Sequence, residues 1–184
     1  MADMKKQVLF IQGGGDDGYK ADTNMVMSLQ KELGEDYELH YPRLQTDNAA
    51  TDFGWPKQIG QEIGKLNDNG ILVAHSLGAS MLLKYLSENR IEKSIAGIFL
   101  ISTPFWSGNE DWKQGLKLKE DFGDAIPGDN RIFFYQCRDD GEVPFDHLAF
   151  YRDKLPWASF REIESGGHQL GNKLGLVAND IKGL

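Results

Sequence analysis

The sequence predicts a single α/β domain over residues 1–184, with helices covering both faces of a mostly parallel sheet in a three-layer α/β/α sandwich. Three observations carry that prediction. Val8–Ile11, Ile71–Ala74 and Ile95–Ile101 are uninterrupted apolar runs, as strands buried on both faces require; a half-exposed strand alternates instead. Segments with apolar residues at helical spacing separate these runs, which is the β-α-β repetition of a parallel sheet. The 184 residues, 40% hydrophobic and 26% charged, supply one sizeable core and are short for two, and no linker or internal repeat divides them.

The elements follow in order. Val8–Ile11 leads into Gln12-Gly13-Gly14-Gly15-Asp16-Asp17-Gly18, a loop whose glycines let the backbone turn sharply and aim its amides at an anion. It lacks the Gly-Lys-Ser/Thr ending of a phosphate-binding loop and a convincing Gly-x-Gly-x-x-Gly spacing, so a nucleotide enzyme is disfavoured. Asp22 or Thr23 caps a helix to about Leu33, with Met25, Val26 and Leu29 inward and Gly34 at its end. Tyr37–Tyr41 is a second strand, closed by Pro42, and residues 43–54 form a polar loop suited to line a pocket. Trp55-Pro56 opens a helix that presents Ile59, Ile63 and Leu66 on one face. Ile71–Ala74 is the third strand and Ser76–Glu88 the helix after it, packed through Leu77, Met81, Leu82 and Tyr85. Ile95–Ile101 is the fourth strand. Residues 105–128, with Trp106 and Trp112 among many charges, are long enough only for a short cover segment. Residues 131–137 form the fifth strand, and Val143-Pro144 starts a helix through Leu148 and Tyr151. Ser159–Glu164 alternates as an edge strand does, and Leu170–Ile181 is the closing helix.

Composition narrows the function. The formal net charge is −8, from 20 basic and 28 acidic residues, a balance that repels nucleic acid and anionic membrane. The single Cys137 rules out an internal disulfide framework and cysteine-based metal clusters. The first apolar run is too short for a leader or a spanning helix. A cytoplasmic protein acting on a small molecule, without cofactor or metal and with no nucleic-acid or membrane partner, is the expectation.

The chemistry centres on Ser76. It stands where an apolar strand meets a helix, with only small residues, Ala74 and Gly78, two positions to either side. Such a turn pushes a serine hydroxyl out above the carboxyl end of the sheet, at the positive end of the helix. A plain helix cap explains the serine alone, so the chain must also supply a base, an acid and an oxyanion hole. Of the four histidines, His40 ends a strand, the His75 side chain points away from its neighbour Ser76, and His147 is read as a helix-surface residue. His168, in a loop beyond the last strand, is left to reach over the sheet as base. Asp139, Asp140 and Glu142 share the loop after the fifth strand and are the acid candidates. The Leu77 amide and one from the glycine loop, Gly14 first with Gly13 or Gly15 in reserve, would hold the oxyanion. Gln12, Gly13, Trp55, Phe105 and Trp106 are candidate pocket residues.

Phe10-Ile11-Gln12-Gly13-Gly14, Val73-Ala74-His75-Ser76-Leu77-Gly78-Ala79, Asp139-Asp140-Gly141-Glu142-Val143-Pro144 and Gly166-Gly167-His168 together resemble the α/β-hydrolase superfamily. The likeness runs over nearly the full length and is strongest to the small, nearly capless serine hydrolases related to the retinoblastoma-binding hydrolase. Ala74 and Gln12 stand where glycine and histidine are usual. The resemblance implies the minimal α/β-hydrolase fold, with six strands in order 2-1-3-4-5-6. It selects Asp140, through the family's Asp-x-x-Val-Pro loop, as acid in the chain order Ser76, Asp140, His168. It also implies an intracellular serine esterase working through a nucleophile elbow. Two competing expectations are a non-catalytic binding protein on the same scaffold and an acyltransferase using the same three residues; reactivity of Ser76 separates the first from an enzyme.

Overall fold

The computed structural model describes residues 4–106, 111–126 and 131–184. Six parallel strands, β1 (Lys6–Ile11), β2 (Tyr37–His40), β3 (Gly70–His75), β4 (Ile95–Ile101), β5 (Ile132–Cys137) and β6 (Ser159–Ile163), form one sheet in the order β2-β1-β3-β4-β5-β6. The helices are α1 (Gly18–Ala21), α2 (Thr23–Leu33), α3 (Trp55–Gly64), α4 (Leu77–Glu88), α5 (Phe122–Ala125), α6 (His147–Lys154) and α7 (Gly175–Lys182). This is the minimal α/β-hydrolase fold with the anticipated strand order.

Continuous apolar strands are explained by alternation onto two buried faces. Leu9, Ile11, Leu72, Ala74, Ile98, Leu100 and Phe134 point to one face, where α3, α4 and α6 add Ile59, Ile63, Met81, Leu82, Leu148 and Tyr151. Val8, Phe10, Ile71, Val73, Phe99, Ile101 and Tyr135 point to the other, covered by Met25 and Leu29 of α2 and Val177 and Ile181 of α7. The edge strand β6 is different: Arg161 and Glu162 are exposed and paired with Asp180 and with Arg138 and Arg152. Charge on an outer strand discourages pairing with another chain.

Two helix boundaries differ from the sequence reading. The helix after Pro144 begins only at His147, because residues 144–149 first run through i+3 turns. The predicted helix from Leu170 divides: Leu170, Gly171 and Asn172 have φ of 53, 60 and 55° in a short 3-10 segment, and α7 starts at Gly175. Of the cover segment, residues 107–110 and 127–128 lie outside the described residues; Leu116, Leu118, Phe122 and Ile126 are buried against the α4–α6 face.

The order reverses at β1, with β2 on one side and β3 on the other. Connections leaving β1 and β3 therefore diverge and open a crevice beyond their carboxyl ends, the usual ligand position in open α/β sheets. The glycine loop after β1 and Ser76 after β3 both border it.

Candidate active site

Ser76 sits between β3 and α4 with φ 52° and ψ −125°, a conformation that is strained for a residue bearing a Cβ. Its amide still donates to the Ile101 carbonyl at 2.9 Å, so the sheet holds the residue in place while the chain reverses into the helix. Close packing explains the small neighbour at 78. A Cβ on Gly78 would collide with the Gln12 carbonyl, so this glycine lets the first turn of α4 approach the loop after β1.

The loops after β5 and β6 bring the other two residues to Ser76. The hydroxyl lies 3.0 Å from His168 Nε2, and His168 Nδ1 lies 3.0 and 3.1 Å from the two Asp140 oxygens. These partners fix the tautomer: Nδ1–H donates to the carboxylate, leaving Nε2 to accept the hydroxyl proton. Asp140 also accepts from the Glu142 and Val143 amides at 2.8 and 2.9 Å and from Gln136 Nε2 at 2.9 Å. Burial pushes its carboxyl upward and is the largest single influence. Its hydrogen bonds from His168, Val143 and Glu142, with the attraction of the imidazole, outweigh burial and hold the pKa at about 2.

The neighbouring Asp139 turns the other way. Its carboxylate accepts from the Gly166 and Gly167 amides at 2.8 to 3.2 Å, and these bonds lower its pKa. It thereby ties the loop after β6, which carries His168, to the loop after β5. Cys137 is fully buried, and burial, then Asp139 and Asp140, push its thiol up to about 11, so it is not a competing thiolate.

An open cleft of about 900 Å³ lies over Ser76. Phe53, Leu77, Pro104, Phe105, Trp106, Leu116, Val143 and Phe150 give it apolar walls, and Gly13, Gly14, Gly15 and Leu77 line its floor beside the serine. Among the described residues, the Gly14 and Leu77 amides have no acceptor within the protein, whereas the Gly13 amide donates to Asp22 at 2.7 Å. Gly13 is thereby removed as a reserve donor. Among the described residues no cluster of three or more His, Cys, Asp or Glu could hold a metal ion, and no helix is long and apolar enough to cross a membrane.

The sequence model of the serine hydrolase family matches residues 27–126. The chain belongs to the serine hydrolase family. YdeN of Bacillus subtilis (strain 168) is 29% identical over 110 residues. That alignment spans 57% of this chain and 56% of YdeN, so this chain matches little more than half of the relative's length at the sequence level. The crystal structure of the ydeN gene product from B. subtilis superposes with a TM-score of 0.73 at 23% identity, covering 97% of this chain and 98% of the other. SOBER1 of Arabidopsis thaliana has a TM-score of 0.67 at 16% identity with 97% and 98% coverage, and Est1E of Butyrivibrio proteoclasticus 0.69 at 14% with 99% and 88%. At such identities the similarity establishes the common fold.

The serine hydrolase family match ends before Asp140 and His168, so the two loops that supply them are described by geometry alone. Of the anticipated pocket residues, Gly13, Phe105 and Trp106 line the cleft, while Gln12 and Trp55 do not. Gln12 is buried and turned aside to accept from the Leu44 amide at 2.8 Å. Trp55 is 1% exposed within the core, its length absorbed by packing at the start of α3. His147, read as a surface residue, instead lines the cleft and accepts from the Phe105 amide at Nδ1, 2.8 Å away.

Two residues were missed. Asp22, expected to cap α2, makes no capping bond; it is 1% exposed, and its Oδ2 lies 2.8 Å from His75 Nδ1. His75, expected to point away from the site, is also 1% exposed, and its ring centroid is 4.6 Å from that of His168. Alternation along β3 held the signal. His75 follows Ile71 and Val73 onto the face that α2 covers, and Asp22 is the residue just before α2.

Proposed function

We propose that the protein is a carboxylesterase-type serine hydrolase that cleaves a small ester or related acyl compound through an acyl-enzyme. The observation that carries this reading is the 3.0 Å contact between Ser76 Oγ and His168 Nε2, with Asp140 on the opposite ring nitrogen. His168 takes the hydroxyl proton as Oγ attacks the acyl carbonyl, and Asp140 keeps Nε2 directed at the serine and stabilises the imidazolium. The Leu77 and Gly14 amides receive the charge that develops on the carbonyl oxygen. His168 then protonates the leaving group and activates water against the acyl-serine. Apolar cleft walls suit an uncharged acyl group.

The test is capture by a fluorophosphonate probe, with the modified peptide identified by mass spectrometry. Labelling is expected at Ser76 in the parent and absent from folded Ser76→Ala and His168→Ala. A folded parent that resists the probe would return the scaffold to a non-catalytic role.

A further inference from the structure

The fold contains a second acid–imidazole pair that the proposed reaction leaves unused. His75 Nε2 lies 2.9 Å from the backbone carbonyl of His168, and Nδ1 lies 2.8 Å from Asp22 Oδ2. A carbonyl oxygen only accepts, so Nε2 carries a hydrogen. The contact between Nδ1 and Oδ2 then needs a hydrogen of its own, held on the ring or on the carboxyl, because two bare acceptors do not approach this closely. The pair is therefore a closed, fully bonded bridge with no nitrogen left to act on a substrate. Both residues are 1% exposed and lie at the inner edge of the cleft.

What the bridge joins is specific. At one end Asp22 Oδ2 also accepts the Gly13 amide at 2.7 Å, directly before Gly14. At the other end the His168 carbonyl accepts a second bond from Ser102 Oγ at 2.8 Å. Ser102, like Ser76, ends a central strand with positive φ, 50°, while its amide continues the sheet ladder to Tyr135 at 2.9 Å. The main chain of His168, which stands on a loop beyond an edge strand, is thus gripped by side chains from β3 and from the end of β4. A Cβ on Gly13 would stand 2.9 Å from His75 Nδ1 and 3.3 Å from Asp22 Oδ2, so glycine there lets the loop close onto the pair.

We infer that Asp22 and His75, with Ser102, are positioning residues that hold the His168 backbone and the Gly13–Gly14 loop in fixed relation to each other. The inference rests on the reading of Ser76, His168 and Asp140 as the reacting set. The base His168 and the Gly14 donor come from opposite ends of the chain, and misplacement of a reacting group by about 1 Å costs roughly a hundredfold in rate. A buried clamp between the two loops supplies a registration that neither loop has alone.

Two substitutions divide the clamp. An asparagine amide nitrogen falls where Nδ1 lies and a glutamine amide nitrogen where Nε2 lies, so His75→Asn keeps a donor for Asp22 and loses the one to His168, and His75→Gln does the reverse. With p-nitrophenyl acetate, His75→Asn is expected to lose roughly 10- to 100-fold in kcat at parental KM, and His75→Gln to retain more. Fluorophosphonate capture at Ser76 should slow in the same order. Folded variants with parental kcat and capture rate overturn the inference while the parent's reactivity leaves the esterase reading standing; an unreactive parent removes both. If neither variant folds, Ser102→Ala decides, since it deletes only the second bond to the His168 carbonyl. Reduced kcat at parental KM supports the clamp, and an unchanged kcat overturns it.

Discussion

Two aspartate–histidine pairs lie side by side in this protein, and their carboxylate contacts are nearly alike: 3.0 Å for Asp140 with His168 and 2.8 Å for Asp22 with His75. Their surroundings differ. The His168 side chain is 13% exposed at the cleft, whereas that of His75 is 2% exposed between β3 and α2. Their far nitrogens differ more. His168 Nε2 meets a hydroxyl that can release a proton, and His75 Nε2 meets a carbonyl that has none. A carboxylate on one nitrogen orients an imidazole in either case; the group on the other nitrogen decides whether orientation serves proton transfer or architecture.

The comparison breaks if the two pairs respond alike to mutation. The largest expected effect is on turnover: Asp140→Asn turns one acceptor oxygen into an NH2 donor, no longer enforces the His168 tautomer and should lower kcat about 10⁴-fold, with an unchanged circular dichroism spectrum. His75→Leu should act on stability as well as on the clamp, with a smaller loss of kcat than Asp140→Asn. It strands the Asp22 carboxylate in the core, and the expected loss is about 3–5 kcal/mol, read from urea unfolding. An equal loss in His168→Ala would erase the distinction.

A smaller effect separates Asp140 by its acidity. Its pKa falls from the ordinary 3.8 to about 2 in the fold, so the folded state binds the proton less well than the unfolded one. The stabilisation is therefore complete above about pH 4, fades as pH falls toward 2, and amounts to about 2 kcal/mol. Acid unfolding of Asp140→Asn should have a shallower pH dependence across that window, and a parallel curve would contradict the assignment. The smallest effect belongs to Asp139→Asn. It weakens the tie to Gly166 and Gly167 but spares the His168 contact, so kcat in the same ester assay should stay near the parental value.

Legibility in the sequence followed the range of the forces involved. β1, β3 and β4 were readable because burial on two faces demands continuous apolar runs, β6 was readable by its alternation, and the strand order came from the family resemblance; Val73-Ala74 running into Ser76 announced the turn between β3 and α4. The break at residues 170–172 was not readable. Leu170 takes positive φ against its own preference, and the loop's own turn bonds decide it, such as the 2.6 Å bond from the Gly171 amide back to the Gly166 carbonyl. Trp55 looked like a pocket aromatic because an indole suits either a cleft or a core, and only the packing of α3 distinguishes them. Asp22 looked like a cap because a short carboxylate before a helix usually is one. Recognising its partner required pairing the face of β3 that holds His75 with the helix that covers it.

The strained serine turn and its proposed base are 92 residues apart in the chain, and that separation has a temporal meaning. During vectorial synthesis, β1, β3 and β4 and the loops that form the cleft floor emerge well before the loop after β6. A nascent chain exposed only as far as Leu155 carries Ser76 without the proposed base His168. On the proposed mechanism Ser76 becomes reactive only once the β6 loop docks and Ser102 and His75 take hold of residue 168, so partly made or C-terminally clipped chains are expected to resist the fluorophosphonate probe.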